Sequence, residues 1–147
     1  MTAARQNGDS MRDVESPAEV SEVVRSFYAA VAQDALLGPM FEEIAQVDWP
    51  AHLPRLSAFW CRALFGQPGY VGNPYAMHRD VHRRSPFSAA HFDRWLELFE
   101  ETLDEGWSGP NVEAMKELAS KVATVHGTKL VGRPYRRSAP VGAPECA

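Results

Sequence analysis

Val20, Val23, Val24, Phe27, Tyr28 and Val31 recur at spacings of three and four, which places all six on one face of an α-helix. The same period returns in three later segments. One carries Leu53, Leu56, Trp60 and Leu64, a second Phe92, Trp95, Leu96, Phe99 and Leu103, and a third Met115, Leu118, Ala119, Val122 and Val125. No stretch shows a convincing strand pattern, and no segment repeats another. Segments of this kind bury their stripes only by packing helix on helix, so the pattern predicts an all-α domain.

Local signals set the boundaries. Ser16-Pro17-Ala18-Glu19 reads as a capping box with proline at the first helical position. The apolar piece MFEEIAQV, residues 40–47, predicts a turn or two of helix. Asp48 is placed to cap the second main helix and Gly66 to end it. The loop GQPGYVGNP follows, and Pro74 can open a short helix bearing His78 and His82, closed by Arg83-Arg84-Ser85-Pro86. Ser88 caps the next main helix, Gly106 and the SGPN turn close it, and the last begins near Asn111.

The chain of 147 residues suits one domain, here residues 16–130, between a flexible leader at 1–15 and a proline-rich basic tail at 131–147. The leader has no apolar run, so neither a signal peptide nor a membrane span is expected. Two cysteines, Cys61 within a helical pattern and Cys146 beside the last residue, make no disulfide framework and suit a reducing cytoplasm. A net charge of −4 argues against nucleic acid or anionic membrane as general partners.

The residues that carry chemistry are few. His78 and His82, four apart, have the spacing of a two-histidine zinc pair, but no HExxH is present, and Arg83 and Arg84 disfavour a dication nearby. Tyr28, His52 and Trp95 each read singly as core residues. Together they bring three hydrogen-bond donors on apolar bodies from three helices, and a cavity ringed by them requires a polar guest. His91, in the first turn after Ser88, reads as exposed or as capping support. Phosphate-binding glycine loops, GxSxG, CxxC and ExxH pairs are missing. Two alternatives stay open beside a cofactor pocket. One is a helical zinc-dependent hydrolase using His78, His82 and a carboxylate. The other is a cofactor-free interaction module presenting the acidic face of residues 93–105.

Six segments occur in order over residues 20–127: FY at Phe27–Tyr28, LGPMF at Leu37–Phe41, WPAH at Trp49–His52, AFW at Ala58–Trp60, YVGNPYAMH at Tyr70–His78, and PFSAAHFDRWLELFEETL at Pro86–Leu103. With these the chain resembles the truncated haemoglobins, most closely their group III branch. The resemblance implies a two-over-two helical sandwich around haem b, iron protoporphyrin IX. It implies His78 as the proximal iron ligand, and Tyr28, His52 and Trp95 as distal residues facing the bound gas. Phe41 would pack on the porphyrin. Leu56, Phe59, Trp60 and Met77 would belong to the pocket or its core, and Arg79 and Tyr70, with Arg83 and Arg84, would meet the propionates. His82, the leader and the tail match no part of the family pattern.

The implied ligands are oxygen, nitric oxide, carbon monoxide, peroxide and cyanide. A ligand that gains negative charge accepts hydrogen bonds, each contributing ~1.5–3 kcal/mol, so the distal donors imply high oxygen affinity with slow release. Nitric oxide dioxygenation or peroxidase-like turnover would need a separate reductase, because the chain holds no flavin or nicotinamide domain. A monomer or weak dimer is expected.

Overall fold

A serine hydroxyl followed by proline starts the first helix. In the computed structural model, which describes residues 11–41, 48–68, 83 and 87–131, α1 spans Pro17–Gln33. Ser16 Oγ accepts from the Glu19 N–H at 3.3 Å. The reciprocal bond lies one residue early, with the Glu19 carboxylate accepting from the Glu15 N–H at 2.8 Å. All six apolar residues of the stripe are buried. Asp34 then turns the chain, its carboxylate accepting from the N–H groups of Leu36 and Leu37 at 3.1 and 3.0 Å.

Helix α2 spans Trp49–Phe65 and stops at Gly66, whose φ of 66° favours glycine. Helix α3 spans Ala89–Gly106. Its cap uses His91, whose Nδ1 accepts from the Ser88 N–H at 2.9 Å, so this ring supports the cap. Helix α4 spans Pro110–Val131 with proline at its first position. The short helix expected around His78 and His82, and most of the piece at 40–47, lie outside the described residues.

Helix α1 packs on α2, α3 packs on α4, and the two pairs meet through α1 with α3 and, less closely, α2 with α4. This is the two-over-two arrangement the resemblance implies. Among the described residues there is no strand, only an isolated bridge between Arg12 and Trp107. No described helix is long and apolar enough to cross a membrane. Two rings hold the centre. Phe27 meets Tyr28, Phe99 and Trp95 edge-on at 4.6, 5.0 and 5.7 Å. Phe99 lies stacked between Trp60 at 5.2 Å and Trp95 at 5.8 Å.

Two stripes differ from the sequence expectation. On α4 the buried line runs through Val112, Met115, Ala119, Ala123 and Leu130, and Val125 is 48% exposed. Val122, expected in the stripe, is only partly covered, and Ala123 beside it is buried instead. On α2 only Trp60 and Cys61 are buried, while Leu53, Leu56 and Leu64 are partly covered.

The last residues before α1 are packed. Val14 is fully buried. Asp13 accepts from the N–H groups of Asn111 and Val112 at 2.9 and 3.0 Å, capping α4 from almost a hundred residues away. Asn111 returns a bond to the Val14 carbonyl at 2.7 Å, and the Arg12 guanidinium lies 4.9 Å over the Trp107 ring. Gly109, with φ 147°, makes room, since a Cβ there would run into Asp13 Cγ. A carboxylate at a helix N-terminus also meets the positive end of the helix dipole. Asp13→Ala should therefore cost about 1–2 kcal/mol, read as a lower urea midpoint, whereas an unchanged midpoint would show that the cap does not stabilise α4.

One ion pair ties the end of α1 to α3. Arg94 Nε lies 2.7 Å from Asp34 Oδ1, and Asp34 is 8% exposed. Arg94 also pairs with Glu97. Burial pushes the Asp34 carboxyl up, but bonds from Arg94 and from the Leu37 and Leu36 N–H groups outweigh it and hold it below its ordinary value. The resulting stability is present above the unfolded aspartate's pKa and is lost as pH falls through the lower folded value. Wild type should lose urea resistance more steeply than Asp34→Asn over that acidic window. Parallel curves would exclude Asp34 as a source of the slope.

Candidate functional site

Four rings from three elements converge near the ends of α1 and α2. Tyr28, on the last turns of α1, lies 5.7 Å from Trp49, 6.0 Å from Phe41 and 6.1 Å from His52. Phe41 follows the Asp34 turn and stacks on Trp49 at 5.9 Å with 19° between the planes. Trp49 is the first residue of α2, and His52 lies one turn on, with its ring 5.8 Å away. Trp95 reaches the same place from α3, next to Phe27 and Phe99.

The polar atoms here are neutral donors. Trp95 and Tyr28 approach each other from α3 and α1, both edge-on to Phe27. Burial pushes the Tyr28 phenol up to about 12, and side-chain hydrogen bonding with Trp95 pulls the other way. The hydroxyl therefore keeps its proton at ordinary pH and can accept from one donor while donating to another. His52 is pushed below its ordinary value by burial and by the charge of Arg55, which keeps it neutral with one N–H to donate. Among the described residues no charged side chain is fully buried. Such a set suits a ligand that is neutral on entry and gains negative charge when held.

Tyr28, His52, Trp95 and Phe41 are thus brought together. Leu56 and Phe59 lie further along α2, partly buried against the core. Trp60 faces the core, stacked on Phe99 and 5% exposed. Tyr70, Met77, His78, Arg79, His82 and Arg84 lie outside the described residues, and Arg83 is exposed. Trp49 is the ring that helical periodicity undervalues. Its signal was present in the spacing of three to His52, which puts both on one side of the first turn.

The described residues fit a flat, largely apolar cofactor of the kind the resemblance implies. An amphipathic helix inside a finished core buries its stripe, yet α2 leaves Leu53, Leu56 and Phe59 only partly covered beside the four rings. Apolar surface in that state is favourable to cover, at roughly 25 cal/mol per Å². The neutral donors on α1, α2 and α3 supply the polar contacts a small ligand beside such a plate would use.

Comparison with known proteins gives a consistent result. Residues 14–127 match the family described as bacterial-like globin. The group 3 truncated hemoglobin ctb of Campylobacter jejuni is 36% identical over 88 residues, 58% of this chain and 67% of that protein. The crystal structure of the group III truncated hemoglobin from Campylobacter jejuni superposes with a TM-score of 0.70 at 28% identity, covering 79% of this chain and 91% of that one.

Proposed function

The chain belongs to the bacterial-like globin family, in its group III truncated haemoglobin branch, and from that premise we propose that it holds haem b and binds oxygen tightly with slow release. When bound, haem would supply an iron that takes a diatomic ligand. In this reading His78 would hold the iron, Arg79 and Tyr70 would meet the propionates, and Met77, Phe41 and Leu56 would line the pocket. Phe59 and Trp60 would support it from α2.

The observation that carries the reading is the convergence of rings from separate elements, with Tyr28 within 6.1 Å of Trp49, Phe41 and His52 and Trp95 beside it on Phe27. Trp95 orients the phenol and strengthens it as a donor. Tyr28 presents its proton to a ligand that has gained negative charge, and His52 contributes a third donor or admits and retains the ligand. The surrounding rings exclude water, which would otherwise compete for these bonds.

Slow release is unsuited to bulk oxygen transport. It suits a sensor, a scavenger, or a catalyst acting on oxygen, nitric oxide or peroxide. Carbon monoxide and cyanide would serve as further probes of the site. Redox turnover requires electrons from a reductase. The test is oxygen binding and nitric oxide consumption by the reduced, haem-reconstituted protein. Tight oxygen binding is expected, with nitric oxide consumption marking the catalytic use. A protein that neither holds oxygen nor consumes nitric oxide would overturn the proposal.

A further inference from the structure

We propose that Trp49 is a positioning residue that holds the His52 ring against Tyr28 and thereby sets how readily a ligand enters and leaves the distal pocket. The inference deepens the reading of the pocket given above and rests on it.

Trp49 meets each of the other three rings: Tyr28 at 5.7 Å, His52 at 5.8 Å and Phe41 at 5.9 Å. His52 meets Trp49 at 70° and Tyr28 at 83°, so Trp49, Tyr28 and His52 form a compact triangle of rings. Two T-shaped contacts favour one orientation of the imidazole. Swinging His52 away from Tyr28 loosens both contacts.

The start of α2 relies on this packing. Asp48 makes no side-chain bond to the helix it precedes. Backbone bonds from the Ala51 and His52 N–H groups to the Asp48 carbonyl, at 3.1 and 2.8 Å, close the first turn but do not fix where that turn sits. The near-parallel Phe41–Trp49 stack does, because it joins the chain on either side of residues 42–47. Trp49 is therefore both the anchor of the turn and one wall of the His52 ring. A flat ring is required for both roles, so phenylalanine should substitute for it and leucine should not.

Two readouts test this on the full chain. The first is the NMR shift of the His52 Cε1 proton, measured on the protein as purified, with or without haem. The ring-current contribution should be lost in Trp49→Leu and largely kept in Trp49→Phe. The second is carbon monoxide association with the haem-loaded protein. Trp49→Leu should accelerate it about tenfold, the size of one lost aromatic contact, and Trp49→Phe should restore it. In a His52→Ala background Trp49→Leu should then have no further effect. An unmoved His52 proton, or an undiminished acceleration in the His52→Ala background, would overturn the proposal. A chain that takes up no haem would sink the function proposed above while leaving the proton shift to decide the role of Trp49.

Discussion

Replacing Tyr28 with phenylalanine is expected to speed oxygen release about ten- to a hundredfold, the equivalent of losing a hydrogen bond worth ~1.5–3 kcal/mol to a ligand bearing charge. The substitution keeps the ring. Contacts with Phe27, Phe41, Trp49 and His52 should therefore persist, and the effect isolates the hydroxyl. It also removes the hydroxyl acceptor nearest the Trp95 indole N–H in the proposed site. A freed indole can turn to the ligand and replace part of what was lost. The two residues should thus be non-additive, with Trp95→Phe costing more in the Tyr28→Phe background than alone. Stopped-flow replacement of oxygen by carbon monoxide measures the rate directly. An unchanged or slower release would remove Tyr28 from the site.

Phe27→Ala should have the largest effect on stability, about 3–5 kcal/mol by the usual cost of deleting a buried aromatic ring. Phe27 is 1% exposed and stands edge-on to Tyr28, Trp95 and Phe99 together. Its loss would leave a cavity where α1 meets α3, bordered by the residues that carry the donor chain. Urea unfolding should show the loss, and any folded fraction should release oxygen faster because Tyr28 and Trp95 are no longer held in register. Phe27→Leu, which fills much of the space, should recover most of the stability. A loss below about 1 kcal/mol in Phe27→Ala would mean that the core collapses around the gap.

The α1 and α3 stripes were legible because large apolar residues mark them at helical spacing, and Phe27, Leu96, Phe99 and Leu103 are buried as that spacing requires. On α4 the same rule misleads. Ala119 is buried as its spacing requires, but Ala123 carries little hydrophobic signal and is buried as well, while Val125 looks like core and is 48% exposed. The α4 cap was illegible for another reason. A local cap can be read from neighbouring residues, but Asp13 reaches Asn111 and Val112 only once the domain has folded. A segment with one buried valine, Val14, has no periodicity to detect.

The site shows the same division. Tyr28, His52 and Trp95 were recognisable as donors on apolar stripes, and Phe41 joined them through the resemblance. The packing of Tyr28 and Trp95 on the same Phe27 ring depends on how α1 crosses α3 and has no trace in either segment alone. Trp49 lies at a helix start, where the apolar period has only begun, so its ring contacts emerge only from the fold.

The central claim is the proposal that the chain would hold haem, with His78 as the iron ligand and Tyr28 and Trp95 as donors to the bound gas. Absorption spectroscopy of the purified chain titrated with haemin tests it most directly. A Soret band that saturates at one haem per chain, and is lost or strongly shifted in His78→Ala, is expected. A chain that stays colourless, or a band indifferent to His78, would contradict it.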